Sequence, residues 1–230
     1  MKDKIKFIIK KYGHVWTASY IFLYLPWFLW LERTVTPQSD YFNIHIWIDD
    51  IIPFNEVFVI PYLLWFLYVP VSMAYIALRS KKEFYKASIY LFVGMSICLF
   101  ICTIWPNGQD LRIENLDVNK NIFTAIVGMI YHSDTNTNVF PSIHSFNSFA
   151  IFMMLFKSEY ISGKFRKPVL ISTGILTALI IASTVILKQH SIVDAIGGVG
   201  LGIIMYILVY VINWKKLFKK SKKETVEVNE

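Results

Sequence analysis

Residues 168–214 are apolar almost throughout and are broken only once, by Lys188-Gln189-His190. As a single helix this stretch would run about 70 Å at about 1.5 Å per residue, over twice the roughly 30 Å hydrocarbon core of a bilayer. The chain must therefore reverse at the polar cluster. Runs of the same kind occupy 15–31, 57–78, 87–105 and 140–156. With 168–187 and 191–214 they make six expected spans. The fold class this predicts is all-α: a six-transmembrane-helix bundle forming one integral-membrane domain. Composition agrees, with 55% hydrophobic and 17% charged residues, against about 25% charged in soluble domains.

The basic balance, net charge +7, sorts by segment. Nineteen of the 23 Lys and Arg residues lie before the first run, between the second and third, between the fourth and fifth, or after the last. Arg33, Arg112, Lys120 and Lys188 alone fall in the other set of connections. By the positive-inside rule both termini are expected in the cytoplasm, with 32–56, 107–139 and the turn at Lys188 outside. That fits a multi-pass protein of a plasma membrane, with a bacterial cell membrane the simplest case. The charge is then topogenic, the lysine-rich tail 215–230 is a membrane-surface contact, and no nucleic-acid partner is expected. The first run is read as an uncleaved anchor, because no small-residue cleavage site follows it. The short apolar stretches 44–48 and 121–132 cannot span and are read as interfacial or re-entrant. Cys98 and Cys102, four apart on the third run, are read as packing residues.

Ionisable groups at membrane depth are costly and mark function. They concentrate in two segments, both at outer ends. In Phe140-Pro141-Ser142-Ile143-His144, Pro141 suits the first turn of a helix, whose free N–H groups and dipole attract anions; His144 belongs to the same turn. In Lys188-Gln189-His190-Ser191-Ile192-Val193-Asp194, His190 and Asp194 are i and i+4 on one helical face. There the carboxylate can hold one imidazole nitrogen and leave the other free as nucleophile or base. Topology brings both segments to one face. Two His, an Asp, cations and a helix N-terminus together suit phosphoryl chemistry.

These motifs resemble the type 2 phosphatidic acid phosphatase superfamily, whose pattern is K-x-x-x-x-x-x-R-P, then P-S-G-H, then S-R-x-x-x-x-x-H-x-x-x-D. Pro141-Ser142-Ile143-His144 matches the second motif with Ile143 in place of Gly. Ser183-Thr184 through His190 and Asp194 matches the third with Thr184 in place of Arg. Arg112 fits the Arg of the first, where Trp105 stands at the Lys and Ile113 at the Pro. The forms F-P-S-I-H and K-Q-H-S-I-V-D are similar to the branch containing inositol phosphorylceramide synthases. The resemblance implies a lipid phosphatase acting at the extracytoplasmic face without a cofactor or metal. It implies His190 as the nucleophile forming a phosphohistidine, Asp194 as its orienting carboxylate and His144 as the acid that protonates the leaving group. Arg112, Ser142 and Ser183 would contact phosphate, and Lys188 is a candidate to replace a missing motif cation. Transfer of a lipid head group is the alternative outcome of the same chemistry. Two other classes are weighed against it: a metal site made by His144, His190 and Asp194, and a transporter, for which the spans lack mid-membrane charges and Pro-broken pairs.

Overall fold

The computed structural model describes residues 11–214; the first ten residues and the lysine-rich tail 215–230 lie outside the described residues. The chain is mostly helical. A 3-10 segment, Gly13–Tyr20, leads into α1 (Ile21–Thr34), followed by α2 (Trp47–Ile51), α3 (Val59–Arg79), α4 (Lys81–Ile104), α5 (Ile122–Ser133), α6 (Ile143–Lys157), α7 (Arg166–Ile186) and α8 (Ile192–Tyr206). Two short strands, β1 (Phe42–Asn43) and β2 (Asn107–Gly108), pair in parallel with Phe42 opposite Asn107.

Among the described residues, four helical stretches are long and apolar enough to cross a membrane: Glu56–Arg79, Lys81–Ile104, Gly163–Ile186 and Ile192–Val211. They coincide with the second, third, fifth and sixth expected spans. The first expected span lies in the 3-10 segment and α1, tied to α4 by a ladder of polar contacts: Thr17 with Ser88, Tyr20 with Ser96, and Trp27 with Thr103. The fourth is α6, which has 15 residues because Pro141 precedes it and Ser142 caps it. Helix α5, at 12 residues, is too short to cross, as expected of 121–132.

Helix α6 can be short because it is sheathed. It packs against α3, α4, α7 and α8, and its Phe146, Ala150, Ile151 and Met154 meet Tyr90, Leu91, Ile180 and Met205 in the main core. The outward faces of the surrounding helices are apolar instead: Phe22 is 80% exposed, and Leu67, Val71, Ile175 and Ile196 are also exposed. This inversion is what a bilayer solvent requires. His14 is buried, with Nε2 donating to the Ala77 carbonyl.

Connections gather at two ends of the bundle. At one end Ser80 alone joins α3 to α4, and Ser158 donates to Glu83 while Arg166 caps the end of α6 through the Phe156 carbonyl. At the other end the segments 32–56, 107–139 and the 187–191 loop interlock. Asn107, fully buried, accepts from the backbone N–H groups of Val139 and Phe140 and so fixes the approach to α6.

Glycines let α8 reach α6. A Cβ on Gly198 would lie 2.4 Å from the Ser142 carbonyl oxygen and 3.0 Å from the Phe146 nitrogen. These are backbone atoms that cannot swing aside. Gly200, on the same helix, has open space around it. We expect Gly198→Ala to destabilise the protein by about 1–3 kcal/mol through overpacking and Gly200→Ala to leave it unchanged, as measured by thermal unfolding in detergent.

Candidate active site

The site forms where the N-terminal ends of α6 and α8 meet. Ser142 caps α6, its Oγ accepting from the Ser145 N–H, while the Ser142 N–H donates to the Asp194 carbonyl at 3.0 Å. Ser191 caps α8 in a capping box: its Oγ accepts from Val193, and the Asp194 carboxylate accepts from the Ser191 N–H at 2.9 Å. These two caps hold His144 and His190 across from each other, ring centroids 5.8 Å apart at 61°. His190 Nδ1 lies 3.4 Å from Asp194 Oδ2. Nδ1 faces the carboxylate at ion-pair distance without forming a hydrogen bond, and Nε2 is turned away from Asp194.

Both imidazoles border a cavity of about 340 Å³. Aromatic side chains form much of its wall, Tyr62 and Trp65 of α3 directly against the His144 ring at 4.9 and 4.4 Å. Glu32 and Asp134 stand in the same wall. Glu32 accepts from Thr135 and Asn138. Burial first, and then the Glu32 charge, push the Asp134 carboxyl up from 3.8 to about 6.

The other residues singled out in the sequence lie around this centre and act on its framework. Arg112 donates from its two Nη nitrogens to the carbonyls of Tyr131, Asp134 and Thr135 and to Gln189 Oε1. Lys188, in the left-handed region at φ 56°, turns its ammonium to the carbonyls of Asp49 and Ile52. Ser183 is fully buried and donates to the Ile180 carbonyl. Thr184, at the position of a motif Arg, presents a carbonyl that receives the N–H groups of both Gln189 and His190. Thus His144, His190, Asp194 and Ser142 converge, while Arg112, Ser183 and Lys188 bond to main-chain carbonyls around them.

Sequence reasoning missed the residues that bind the 187–191 loop from afar. Asp49, 1% exposed, accepts from Ser191 Oγ at 2.7 Å, from the Ile192 N–H at 2.8 Å and from the Ile46 N–H at 3.0 Å. Gln109 donates to the Lys188 and Gln189 carbonyls, and Tyr131 to that of Leu187. Local pattern holds no trace of partners about 60 to 140 residues away. A carboxylate in a stretch that is otherwise apolar and interfacial was the one available signal for Asp49. Among the described residues no group of three or more His, Cys, Asp or Glu side chains is placed to hold a metal ion.

Residues 117–218 match the PAP2 superfamily, the same superfamily that the motifs resemble. No curated protein and no solved structure matches the chain. The matched stretch carries α5 to α8, and with them His144, His190 and Asp194. It supports the PAP2 superfamily, and with it a membrane-bound phosphatase or phosphotransferase.

Two outcomes follow from this geometry. Asp49→Ala strips three buried donors of their acceptor and is expected to cost roughly 2–4 kcal/mol, read as a lowered denaturation midpoint. Asp134 has a folded pKa above its unfolded value, so the folded state holds the proton more tightly. Its contribution favours folding below about pH 3.8 and is lost as pH rises through about 6. Asp134→Asn, which mimics the protonated acid, is therefore expected to melt above wild type at pH 7, with the gap closing as pH falls below 6. A gap independent of pH would contradict this.

Proposed function

We propose that this chain is a multi-pass membrane enzyme that moves the phosphoryl group of a lipid phosphate through a phosphohistidine on His190. The observation that carries the reading is the arrangement of three side chains at one cavity. His190 has Nδ1 beside Asp194 at 3.4 Å, and His144 stands across from it. Asp194 keeps the proton on Nδ1, so the Nε2 lone pair attacks phosphorus. As the N–P bond forms, the bond to the leaving oxygen breaks and His144, having taken a proton from the bound phosphate monoanion, gives that oxygen its proton. The neutral His144 then takes a proton from water, whose oxygen attacks phosphorus and frees His190. The product is inorganic phosphate and a lipid alcohol when the substrate is a monoester. A pyrophosphate lipid leaves as its monoester.

Six spans are proposed, with α1 and α6 completing the four long helices, both termini cytoplasmic and the cavity at the outer face of a plasma membrane. The charge distribution supports this orientation. The second reading is head-group transfer in the manner of inositol phosphorylceramide synthases, in which a phosphodiester lipid is the donor, His190 takes its phosphorus with the head group attached, the lipid alcohol leaves, and an acceptor alcohol takes the place of water. The acceptor oxygens of Glu32 and Asp134 in the cavity wall favour it, because they can hold the hydroxyls of such an acceptor.

The test is a panel of radiolabelled lipid phosphates offered to purified protein in micelles, with and without alcohol acceptors and with excess chelator. Turnover is expected in chelator and lost by about 10³-fold or more in His190→Ala. Phosphate released without acceptor marks a phosphatase, and labelled acceptor marks a transferase. With nitrophenyl phosphate, whose leaving group needs no proton, His144→Ala is expected to give a burst of one nitrophenolate per enzyme and then stall. A wild type inert on every substrate, or an active His190→Ala, would overturn the proposal.

A further inference from the structure

The motif resemblance places cations at positions where this chain has Trp105 and Thr184. The cations that are nearby, Arg112 and Lys188, do not line the cavity, and both Arg112 Nη nitrogens and the Lys188 ammonium are engaged elsewhere, with only Arg112 Nε lacking a partner. Arg112 donates to three carbonyls and to Gln189, and Lys188 to two carbonyls. Glu32 and Asp134 add carboxylates to the cavity. Something else must meet the oxygens of a phosphoryl group held between His144 and His190.

Two side chains of the cavity wall answer the description. Gln189 is 3% exposed, and its Nε2 has no partner in the protein. The orientation of its amide is not arbitrary. A guanidinium only donates, so the atom that Arg112 Nη2 meets at 2.8 Å must be the oxygen, and the NH₂ faces the other way. Trp65 packs its ring on His144 at 4.4 Å, and its buried Nε1 also lacks a partner. Both residues line the cavity that holds the two histidines. Buried donors without partners are rare in folded proteins, and each calls for an acceptor. One stands next to the nucleophile in sequence and the other against the acid in space.

We propose that Gln189 and Trp65 are a pair of neutral donors that bind the phosphoryl oxygens, and that Arg112 is a positioning residue which turns the Gln189 amide toward them. This rests on the phosphoryl-transfer reading of the cavity. It adds that oxygens are recognised by neutral N–H groups without a free Lys or Arg, so that shape and hydrogen-bond geometry, more than fixed charge, hold the group as it is transferred.

The test uses full-length protein in detergent and orthovanadate as probe, with binding read by titration calorimetry, kcat and KM on the best lipid phosphate, and melting temperature as a fold control. Trp65→Phe keeps the ring against His144 and removes the N–H. Gln189→Glu keeps the acceptor for Arg112 and removes the donor. Each is expected to weaken vanadate binding at least tenfold and to lower kcat by roughly 10²-fold, the usual effect of losing one preorganised donor, at unchanged melting temperature. Arg112→Lys is expected to weaken vanadate binding in the wild-type background and to add nothing in Gln189→Glu. Should Gln189→Glu melt early, Trp65→Phe decides alone. An active wild type with variants equal to it in vanadate affinity and kcat overturns the donor pair and leaves the enzyme reading intact. Vanadate binding that is lost in the variants of a wild type inert on every lipid phosphate supports the donor pair and overturns the enzyme reading. No vanadate binding by wild type overturns the donor pair.

Discussion

The carboxylate of Asp49 is the tie on which the catalytic geometry depends. It is buried at the end of the bundle where the long connections meet, and it accepts from two donors of the distant α8 cap and from the N–H of Ile46 in its own segment. A buried charge of this kind is tolerable only when its hydrogen-bonding capacity is filled. Here the filling is done by the cap of α8 itself, so that satisfying the charge and fixing the start of the last helix are one event. Lys188 adds its ammonium to the carbonyl of the same residue, and the loop between α7 and α8 is pinned from outside as well as from within. His190 is carried on that loop, and its placement relative to Asp194 follows from it.

The cations deserve the same physical reading. An Arg or Lys near a phosphate site is commonly taken as a phosphate ligand, yet here each is surrounded by main-chain carbonyls. Carbonyl oxygens left without donors at the ends of helices are expensive in a dry environment. Arg112 covers those at the end of α5, and Lys188 those of the segment around α2. These charges hold the walls of the cavity in place, and the cavity is left to neutral donors, aromatic rings and carboxylates.

Much of this was readable one segment at a time. The apolar runs foretold four long helices, and Pro141 marked the start of α6, although it stands just before the Ser142 cap and not in the first turn where it was expected. The spacing of His190 and Asp194 foretold that they meet, but not how: His190 stands in the bend before the Ser191 cap, and only Asp194 is on the helix. What could not be read is whatever depends on which loops meet: Asp49 on Ser191, Gln109 on Lys188, Asn107 on Val139, Trp65 on His144. Trp65 looked like a packing residue, which it is, and only its orphaned nitrogen distinguishes it. The run 140–156 begins three residues before α6 does, because hydropathy counts Phe140 and Pro141 without registering that Ser142 caps the helix.

The sheathing of α6 bears on how the protein is assembled. A helix of 15 residues covers only about 22 Å, less than the core of a bilayer, and its first turns carry His144, Ser145, Asn147 and Ser148. As it leaves the ribosome, such a segment is a poor candidate to partition into lipid unaided. Its partners α7 and α8 are synthesised after it, and Gly198 on α8 completes the contact at its N-terminal end. The order of synthesis therefore leaves α6 with only α3 and α4 to pack against until α7 and α8 follow. The packing of α6 is completed only by the last helix, whose Asp194 carbonyl receives the Ser142 N–H at the start of α6.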